Sequence, residues 1–419
     1  MVNAAGLLII ALFLAEDPDP CRQETRAARW ACARLTKLRE STPARRHKTE
    51  NFLLKLERYN LVDSAPIDGA FGMTMAVVDS ASRKTREGIP ADGFQPLMGA
   101  SLQEGGLAGG VQYGREHLWN RPINVRVNGR WSIRNFRKFE FQSELPRVFR
   151  NRFFINFRAA QRNYPKKEFY GIGRNSTISD PAIFRLSSTD GSATFGVLPL
   201  SSTELGISGG LLTAAATLRN ECGFPSVEHA CRQQARYRYF EAFINSDMRD
   251  QNVDPTSGGY YRLVWTYFDQ TGAHGSDFHH YSAEVRRYFP VFDAGRVLAL
   301  RAMTSLTSAG RNKQIPFFMM GTLGGSESLR GFPNARFRDT NFLLLNAEYR
   351  WALMTYMHAV VFADAGNVFS APGRVRLAGL ESSYGFGVRL KTPKGPFLRI
   401  EYGLSNENRR LHVVFSPSF

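Results

Sequence analysis

The chain has 419 residues and a formal net charge of +17, and it carries 32 phenylalanines and 15 tyrosines but only 4 cysteines. No run approaches the roughly 20 consecutive apolar residues of a membrane-spanning helix, which excludes a helical membrane protein. The lysines and arginines are spread along the chain without a recognition motif, which argues against nucleic-acid binding. The length fits several soluble domains or one large barrel.

The start of the chain is apolar and then basic. Residues 4–15 form an apolar run about the size of a signal-peptide core, although no Lys or Arg precedes it and its end fits a small-residue cleavage site poorly. Residues 22–60 are basic and have the composition of a helix or coil. We therefore predict a signal peptide at residues 1–15 and a short helical and linker segment at residues 16–91.

Alternating polar and apolar residues recur from about Phe94 to the end of the chain, in segments separated by turn residues. In residues 123–130, INVRVNGR, the apolar side chains share one face and the Asn and Arg side chains share the other. Such segments of roughly 9 to 11 residues are typical of transmembrane β-barrels. The pattern predicts an all-β fold over residues 92–419, a transmembrane antiparallel β-barrel of about sixteen strands.

Two cysteines bracket a short turn-rich stretch between two of these strands. Cys222 and Cys231 enclose a loop with Gly223 and Pro225, and such a pair favours a disulfide in an oxidising compartment. Two unpaired thiols remain an alternative. A zinc site that uses His229 is a further one, although no second CxxC accompanies it.

The connection at residues 309–339 is far longer than a hairpin needs, and loops of this length are usually functional. It contains Arg330, followed by Gly331, which allows a tight bend, and by Phe332, which can wedge against a wall. On the next two strands the alternation places Glu348 and Asp364 on the polar face. If the loop folds into the lumen, these carboxylates can grip the guanidinium with paired hydrogen bonds. An ordinary solvated loop arginine is the alternative.

Several ordered motifs in residues 321–419 carry a family resemblance: GGSESLRGF, NAEYRW, FADAGNVF and LRIEYG. This part of the chain resembles the barrel of the BamA, TamA and surface-antigen superfamily of outer-membrane assembly and translocation proteins. The resemblance implies a bacterial outer-membrane location and a loop arginine held against acidic wall residues, which are Arg330, Glu348 and Asp364 here. It also implies that Phe415 and the terminal Phe419 form a sorting signal on the last strand.

Residues 16–91, which would then lie in the periplasm, lack the strand and helix pattern of the POTRA repeats that assembly proteins of this superfamily carry. We therefore expect a barrel without its own POTRA repeats that inserts or translocates outer-membrane proteins or lipids. Its expected partners are outer-membrane lipids, unfolded outer-membrane proteins and a separate periplasmic or POTRA-containing protein.

A passive structural or channel barrel is the first alternative to this function, and an outer-membrane hydrolase is the second. No GxSxG, HExxH or spaced metal cluster occurs in the sequence, so we expect no enzymatic activity, no catalytic residues, no metal and no cofactor.

Overall fold

The computed structural model describes residues 93–101, 107–120, 123–148, 152–176, 179, 181–219, 231–251, 254–271, 277–310, 313–354, 356–371, 379–392 and 395–414. The segments predicted at residues 1–15 and 16–91 lie outside these described residues, so their boundaries stay predictions. No helix in the described part of the chain is long and apolar enough to span a membrane.

The described residues form eighteen β-strands and two short 3-10 turns at Leu118–Asn120 and Phe317–Met319. The strands are β1 Gly93–Ser101, β2 Leu107–Arg115, β3 Asn124–Ser132, β4 Arg137–Val148, β5 Phe153–Phe169, β6 Ala182–Leu200, β7 Thr203–Leu218, β8 Arg232–Asp247, β9 Gly258–Gln270, β10 Phe278–Val291, β11 Asp293–Ala309, β12 Gly321–Leu323, β13 Phe337–Asp339, β14 Asn341–Met354, β15 Met357–Phe369, β16 Glu381–Thr392, β17 Gly395–Ser405 and β18 Arg409–Val414.

Sixteen of these strands make one antiparallel sheet in which each strand pairs with its neighbour along the chain. The order is interrupted in the chain only between β11 and β14, where the connection carries the two-stranded ribbon β12–β13. The first and last strands of the sheet, β1 and β18, lie close to each other, as expected of a barrel. The predicted fold, with sixteen strands, is confirmed.

The wall of the barrel is uneven in height. Strands β5, β6, β7 and β8 have 17, 19, 16 and 16 residues, whereas β1, β2 and β3 have 9 each and the described part of β18 has 6.

We call the end of the barrel that carries residues 310–340 the loop end, and the opposite end the turn end. We call the boundary between β1 and β18 the seam.

Strand alternation separates a polar lumen from an apolar outer surface. On β14 the side chains of Asn346, Glu348 and Arg350 are buried inside, while those of Leu345 and Tyr349 alternate with them on the outer face. Along β15 the register pairs Asn346 with Asp364, which places Asp364 on the same inner face as Glu348. Side chains of opposite parity point to opposite faces of a sheet, so these positions follow directly from the sequence pattern.

The long connection enters the barrel and fills its loop end. Residues 315–320, which we call the plug segment, are buried and pack against inward side chains of β5 to β10. The ring of Phe317 lies 4.9 Å from that of Phe169 and 5.0 Å from that of Phe184, measured between centroids. The apolar core at this end of the barrel is therefore built by the loop together with the wall.

Candidate functional site: the lumenal arginine loop

Two glycines and a serine shape the turn that carries Arg330 into the lumen. We call residues 324–336 the arginine loop. Gly324 and Gly325 have φ angles of +118° and +93°, a conformation that strains any residue with a Cβ atom. The Ser328 hydroxyl accepts from the N–H of Gly324 at 2.8 Å and donates to the carbonyl of the same residue at 3.0 Å. These backbone angles and hydrogen bonds therefore fix the conformation in which the arginine loop enters the lumen.

Arg330 is enclosed by the barrel, with 2% of its surface exposed. Its Nε and Nη2 donate to the two oxygens of Asp364 at 3.0 and 2.7 Å, and Nη1 donates to Glu348 at 2.9 Å. The guanidinium also lies over the ring of Phe362, with Cζ 3.5 Å from the centroid. The structure thus brings Arg330 into contact with Glu348 and Asp364, the two partners predicted from the sequence. Its bidentate contact with the Asp364 carboxylate is one that lysine cannot reproduce.

Asp364 is held in place by groups other than the guanidinium. Its oxygens accept hydrogen bonds from the backbone N–H of Arg330 at 3.1 Å, from Asn346 Nδ2 at 2.8 Å and from Ser383 Oγ at 3.2 Å. Asn346 also donates to the carbonyl of Ser328 in the arginine loop, at 2.8 Å. Asn346 and Ser383 belong to the wall strands, so they orient the carboxylate independently of the arginine loop, which favours one loop position over others.

A wider network of charges surrounds the pair. Glu348 accepts from Arg350 Nε at 2.7 Å and from Arg389 Nη2 at 2.6 Å, in addition to Arg330. Glu401 lies 3.6 Å from Nη1 of Arg330 and 3.3 Å from Nη2 of Arg389. Neither Glu401 nor Arg389 is among the site residues predicted from the sequence. The four strands β14 to β17 therefore all contribute to holding one loop side chain.

The charge of Arg330 is permanent. Burial alone would lower the pKa of its guanidinium, but the negative charges of Asp364, Glu401 and Glu348 outweigh burial and raise the pKa above its ordinary value. Removal of one partner of such an enclosed pair leaves an uncompensated charge, at a cost of roughly 3 to 5 kcal/mol.

The backbone of the arginine loop lies directly against the last two strands of the barrel. A Cβ atom on Gly331 would stand 2.6 Å from the carbonyl oxygen of Leu404 on β17, so only glycine fits without a shift. Ser405 Oγ donates to the carbonyl of Gly331 at 3.0 Å, and His412 Nε2 donates to the carbonyl of Arg330 at 2.7 Å. The loop is therefore joined to β18, one of the two strands at the seam.

Apolar packing holds the tip of the loop. Phe332 is fully buried in a cluster with Leu329, Phe337, Leu344 and other residues of the ribbon and of β14 and β15. Its ring centroid lies 5.1 Å from that of Phe337. The wedge expected of Phe332 therefore packs largely against the loop's own ribbon and against the wall behind it.

Arg336 connects the same loop to two other connections at the loop end. Its Nε and Nη2 each donate to a carboxylate oxygen of Glu407 at 2.7 Å, in the turn between β17 and β18. Its Nη1 and Nη2 also donate to the hydroxyl and the carbonyl of Ser176, between β5 and β6. The arginine loop is thus fixed at both its deep and its outer part.

At the turn end, the connection between β8 and β9 also reaches into the lumen. We call the described residues of this connection, 248–251 and 254–257, the clamp turn. The carboxylate of Asp254 lies 2.5 Å from Nζ of Lys391, 3.6 Å from Nη1 of Arg350 and 3.8 Å from Nδ1 of His358. Burial would raise the pKa of Asp254, but Arg350 and Lys391 outweigh it and lower the pKa below its ordinary value. The clamp turn therefore joins β8 and β9 to β14, β15 and β16.

Residues 124–418 match the Omp85 superfamily domain. The chain belongs to the Omp85 superfamily. A structure of BamA from Haemophilus ducreyi lacking POTRA domains 1-3 is similar over 76% of this chain and 68% of its own, with 14% identity and a TM-score of 0.60. CdiB from Escherichia coli is similar over 76% of this chain and 61% of its own, with 14% identity and a TM-score of 0.50. No curated protein matches the chain.

The match to the Omp85 superfamily confirms the family resemblance and the bacterial outer-membrane location drawn from the sequence. The likeness to the two solved barrels, at 14% identity, confirms the fold. The chain spans less than two thirds of the CdiB structure.

The remaining site residues of this Omp85 chain fall at or beyond the edges of the described part. Cys231 is disulfide-bonded, but Cys222 lies outside the described residues and the pairing of the two stays a prediction. Phe415 and Phe419, the proposed sorting signal, also lie outside. Within the described ranges, no group of three or more His, Cys, Asp or Glu side chains is placed to hold a metal ion.

Proposed function

We propose that this Omp85 barrel inserts or translocates outer-membrane proteins or lipids by opening sideways at the seam between β1 and β18. The observation that carries the proposal is the attachment of the arginine loop to the seam: its backbone binds His412 on β18, and its guanidinium binds the wall formed by β14 to β17. A lumenal element that contacts a seam strand can link a conformational change in the lumen to the opening of the seam.

The strands at the seam support an opening there. Within the described residues, β1 is hydrogen-bonded along its length to β2 and β18 to β17, and no register joins β1 to β18. This property favours the seam over the other strand pairs as the place of opening.

The lumen supports an insertion role over that of a passive channel. The plug segment occupies the loop end, and the buried ion pairs around Arg330 occupy the lumen between β14 and β17. A polypeptide or lipid that leaves through the seam would enter the membrane without crossing the plug. We propose unfolded outer-membrane proteins as the substrates, delivered by a separate periplasmic or POTRA-containing partner.

Assisted folding tests this function. Liposomes that contain the purified chain are mixed with an unfolded second barrel, and folding of that barrel is followed by its resistance to heat and protease. We expect faster folding than in empty liposomes, and loss of the effect when cysteine pairs lock β1 to β18. A tyrosine substitution at Leu411, on the outer face of β18, is the matched control for surface changes near the seam.

The competing outcome is a passive barrel. In planar bilayers such a barrel would conduct steadily, and the locked seam would leave both conductance and assisted folding at the level of the unlocked protein. That result would exclude the insertion role.

A further inference from the structure

The outer surface of β6 to β10 changes from apolar to basic along the strands. Because these strands pair in register, outward residues form rows across the sheet. One such row, which we call the aromatic row, consists of Ala193, Gly209, Phe240, Tyr267 and His279. The rings of Tyr267 and His279 are tilted against each other with centroids 5.0 Å apart, and Trp265 in the next row donates to His279 Nδ1 at 3.2 Å. Aromatic side chains collect where the hydrocarbon core meets the headgroups.

An apolar depression lies on the turn-end side of the aromatic row, where the surface faces the hydrocarbon core. It has a volume of about 710 Å³ and extends from β6 to β11. The small side chains of Ala242 and Ala283 leave this space between larger neighbours, among them Ile244, Leu263 and Tyr281. Its size falls within the roughly 300 to 1,000 Å³ of ordinary ligand sites, and its lining suits an acyl chain.

A column of arginines lies on the loop-end side of the aromatic row. Arg238, Arg236 and Arg232 point outward from β8 and are exposed, as is Arg185 on β6. Arg185 and Arg232 both pair with Thr217 of β7, so they flank the same position of the outer face. We call these four residues the basic column.

The basic column begins at the height of the lipid headgroups. A strand advances about 3.3 Å per residue, so Arg238 and Arg236 stand roughly 7 and 13 Å along β8 from Phe240 in the aromatic row. Arg238 forms an exposed ion pair with Asp269 at 2.7 Å, which holds its guanidinium at this level. β1 begins and β18 ends at the turn end, so the predicted periplasmic segment at residues 16–91 puts the turn end in the periplasm and the loop end at the outer leaflet. In that orientation the two arginines lie at the level of the outer-leaflet phosphate groups, beside rather than within the apolar zone.

We propose that this face binds a phosphorylated glycolipid of the outer leaflet, with its phosphates on the basic column and an acyl chain in the apolar depression. Guanidinium groups bind phosphate through paired, charge-assisted hydrogen bonds, and four of them on one face complement a lipid that carries several phosphates. The apolar depression lies on the turn-end side of the aromatic row and the basic column lies on its loop-end side. This order matches the order of acyl chains and phosphates in such a lipid. This proposal does not depend on the opening of the seam.

The test measures binding of lipopolysaccharide to the full purified chain in neutral detergent, by native mass spectrometry or by a fluorescence titration. The variant R236Q/R238Q removes two guanidiniums from the basic column. We expect its affinity for lipopolysaccharide to fall about tenfold or more. The matched control is R287Q, because Arg287 is an outward, exposed arginine near the turn end of β10, at the opposite membrane boundary. Its affinity should equal that of the unsubstituted protein.

Two further measurements distinguish the contribution of the phosphates to binding from that of the acyl chain. Dephosphorylated lipopolysaccharide should bind as weakly to the unsubstituted protein as intact lipopolysaccharide binds to R236Q/R238Q. Filling the apolar depression with A283F should weaken binding of lipopolysaccharide but not of inorganic phosphate. Equal affinities of R236Q/R238Q, R287Q and the unsubstituted protein would overturn the proposal, and so would equal affinity for phosphatidylglycerol and lipopolysaccharide. Unchanged urea unfolding of each variant shows that it is folded.

Discussion

His412 on β18 donates a hydrogen bond of 2.7 Å from Nε2 to the backbone carbonyl oxygen of Arg330. The donor belongs to the strand at the seam, and the acceptor belongs to the residue whose side chain is bound by Asp364 and Glu348. Arg330 therefore contacts the seam strand β18 through its main chain, and the wall strands β14 and β15 through its side chain.

Loss of this hydrogen bond should loosen the seam. We expect His412→Leu to lower the free energy of unfolding by about 1 kcal/mol, the usual net value of one such bond, and to increase cross-linking of added cysteines across the seam. Urea unfolding followed by tryptophan fluorescence measures the first effect. Leu411→Ala, which changes an exposed neighbour on the same strand, is the control for cross-linking. Equal cross-linking in the two variants would contradict the coupling.

Arg330→Ala should impair folding as well as activity. It leaves Asp364 and Glu348 facing each other without their shared cation, and the expected loss is roughly 3 to 5 kcal/mol. Arg330→Lys keeps the charge but not the fork, so we expect a smaller loss. The measurement is the fraction of heat-resistant folded barrel and its urea midpoint. Normal levels, normal folding and normal assisted folding of Arg330→Ala would show that the loop arginine has no role.

Gly331→Ala tests the close approach of the loop to β17. The new methyl would stand 2.6 Å from the carbonyl oxygen of Leu404, so either the loop or the strand must move. We expect a loss of about 1 to 3 kcal/mol, the usual cost of overpacking. Gly209→Ala is the matched control, because a Cβ at this position on β7 meets no atom within 4 Å. Equal unfolding free energies in the two variants would show that β17 yields without cost.

The clamp turn should make stability depend on pH in the acid range. The pKa of Asp254 is depressed in the folded protein, so its carboxylate stabilises the barrel above the unfolded pKa and loses this contribution as pH falls through the folded value. Asp254→Asn should be less stable than the unsubstituted protein at neutral pH, and the difference should shrink below about pH 4. Urea midpoints across pH measure this, with Asp269→Asn as an exposed control. A difference that stays constant with pH would refute it.

Phe317→Ala tests whether the plug segment closes the lumen. The side chain is fully buried, and its loss should cost roughly 3 to 5 kcal/mol. It should also raise the conductance of the barrel in planar bilayers, because the removed ring stands between the loop and the inner faces of β5 and β6. Phe240→Ala, on the outer surface of β8, should leave conductance unchanged.

The alternation of polar and apolar residues along single strands is what allowed the inward-facing site residues to be predicted. The face on which Glu348 and Asp364 lie follows from a period of two residues and needs no knowledge of neighbouring strands. Glu401 and His412 could not be assigned to the site in this way, because their contacts depend on the register of β16 to β18 and on how deep the loop descends. The plug segment and Asp254 escaped prediction for a related reason: both lie in connections without periodicity, and their partners are on strands distant in sequence.

The two halves of the long connection have partners from different parts of the chain, and this has a consequence for the order of folding. The arginine loop contacts mainly β14 to β18, which are its near neighbours in sequence, whereas the plug segment contacts β5 to β10. Local contacts form earlier than distant ones. The carboxyl-terminal quarter of the barrel can therefore settle around Arg330 first, and docking of Phe317 then marks the moment at which the amino-terminal half has wrapped around it.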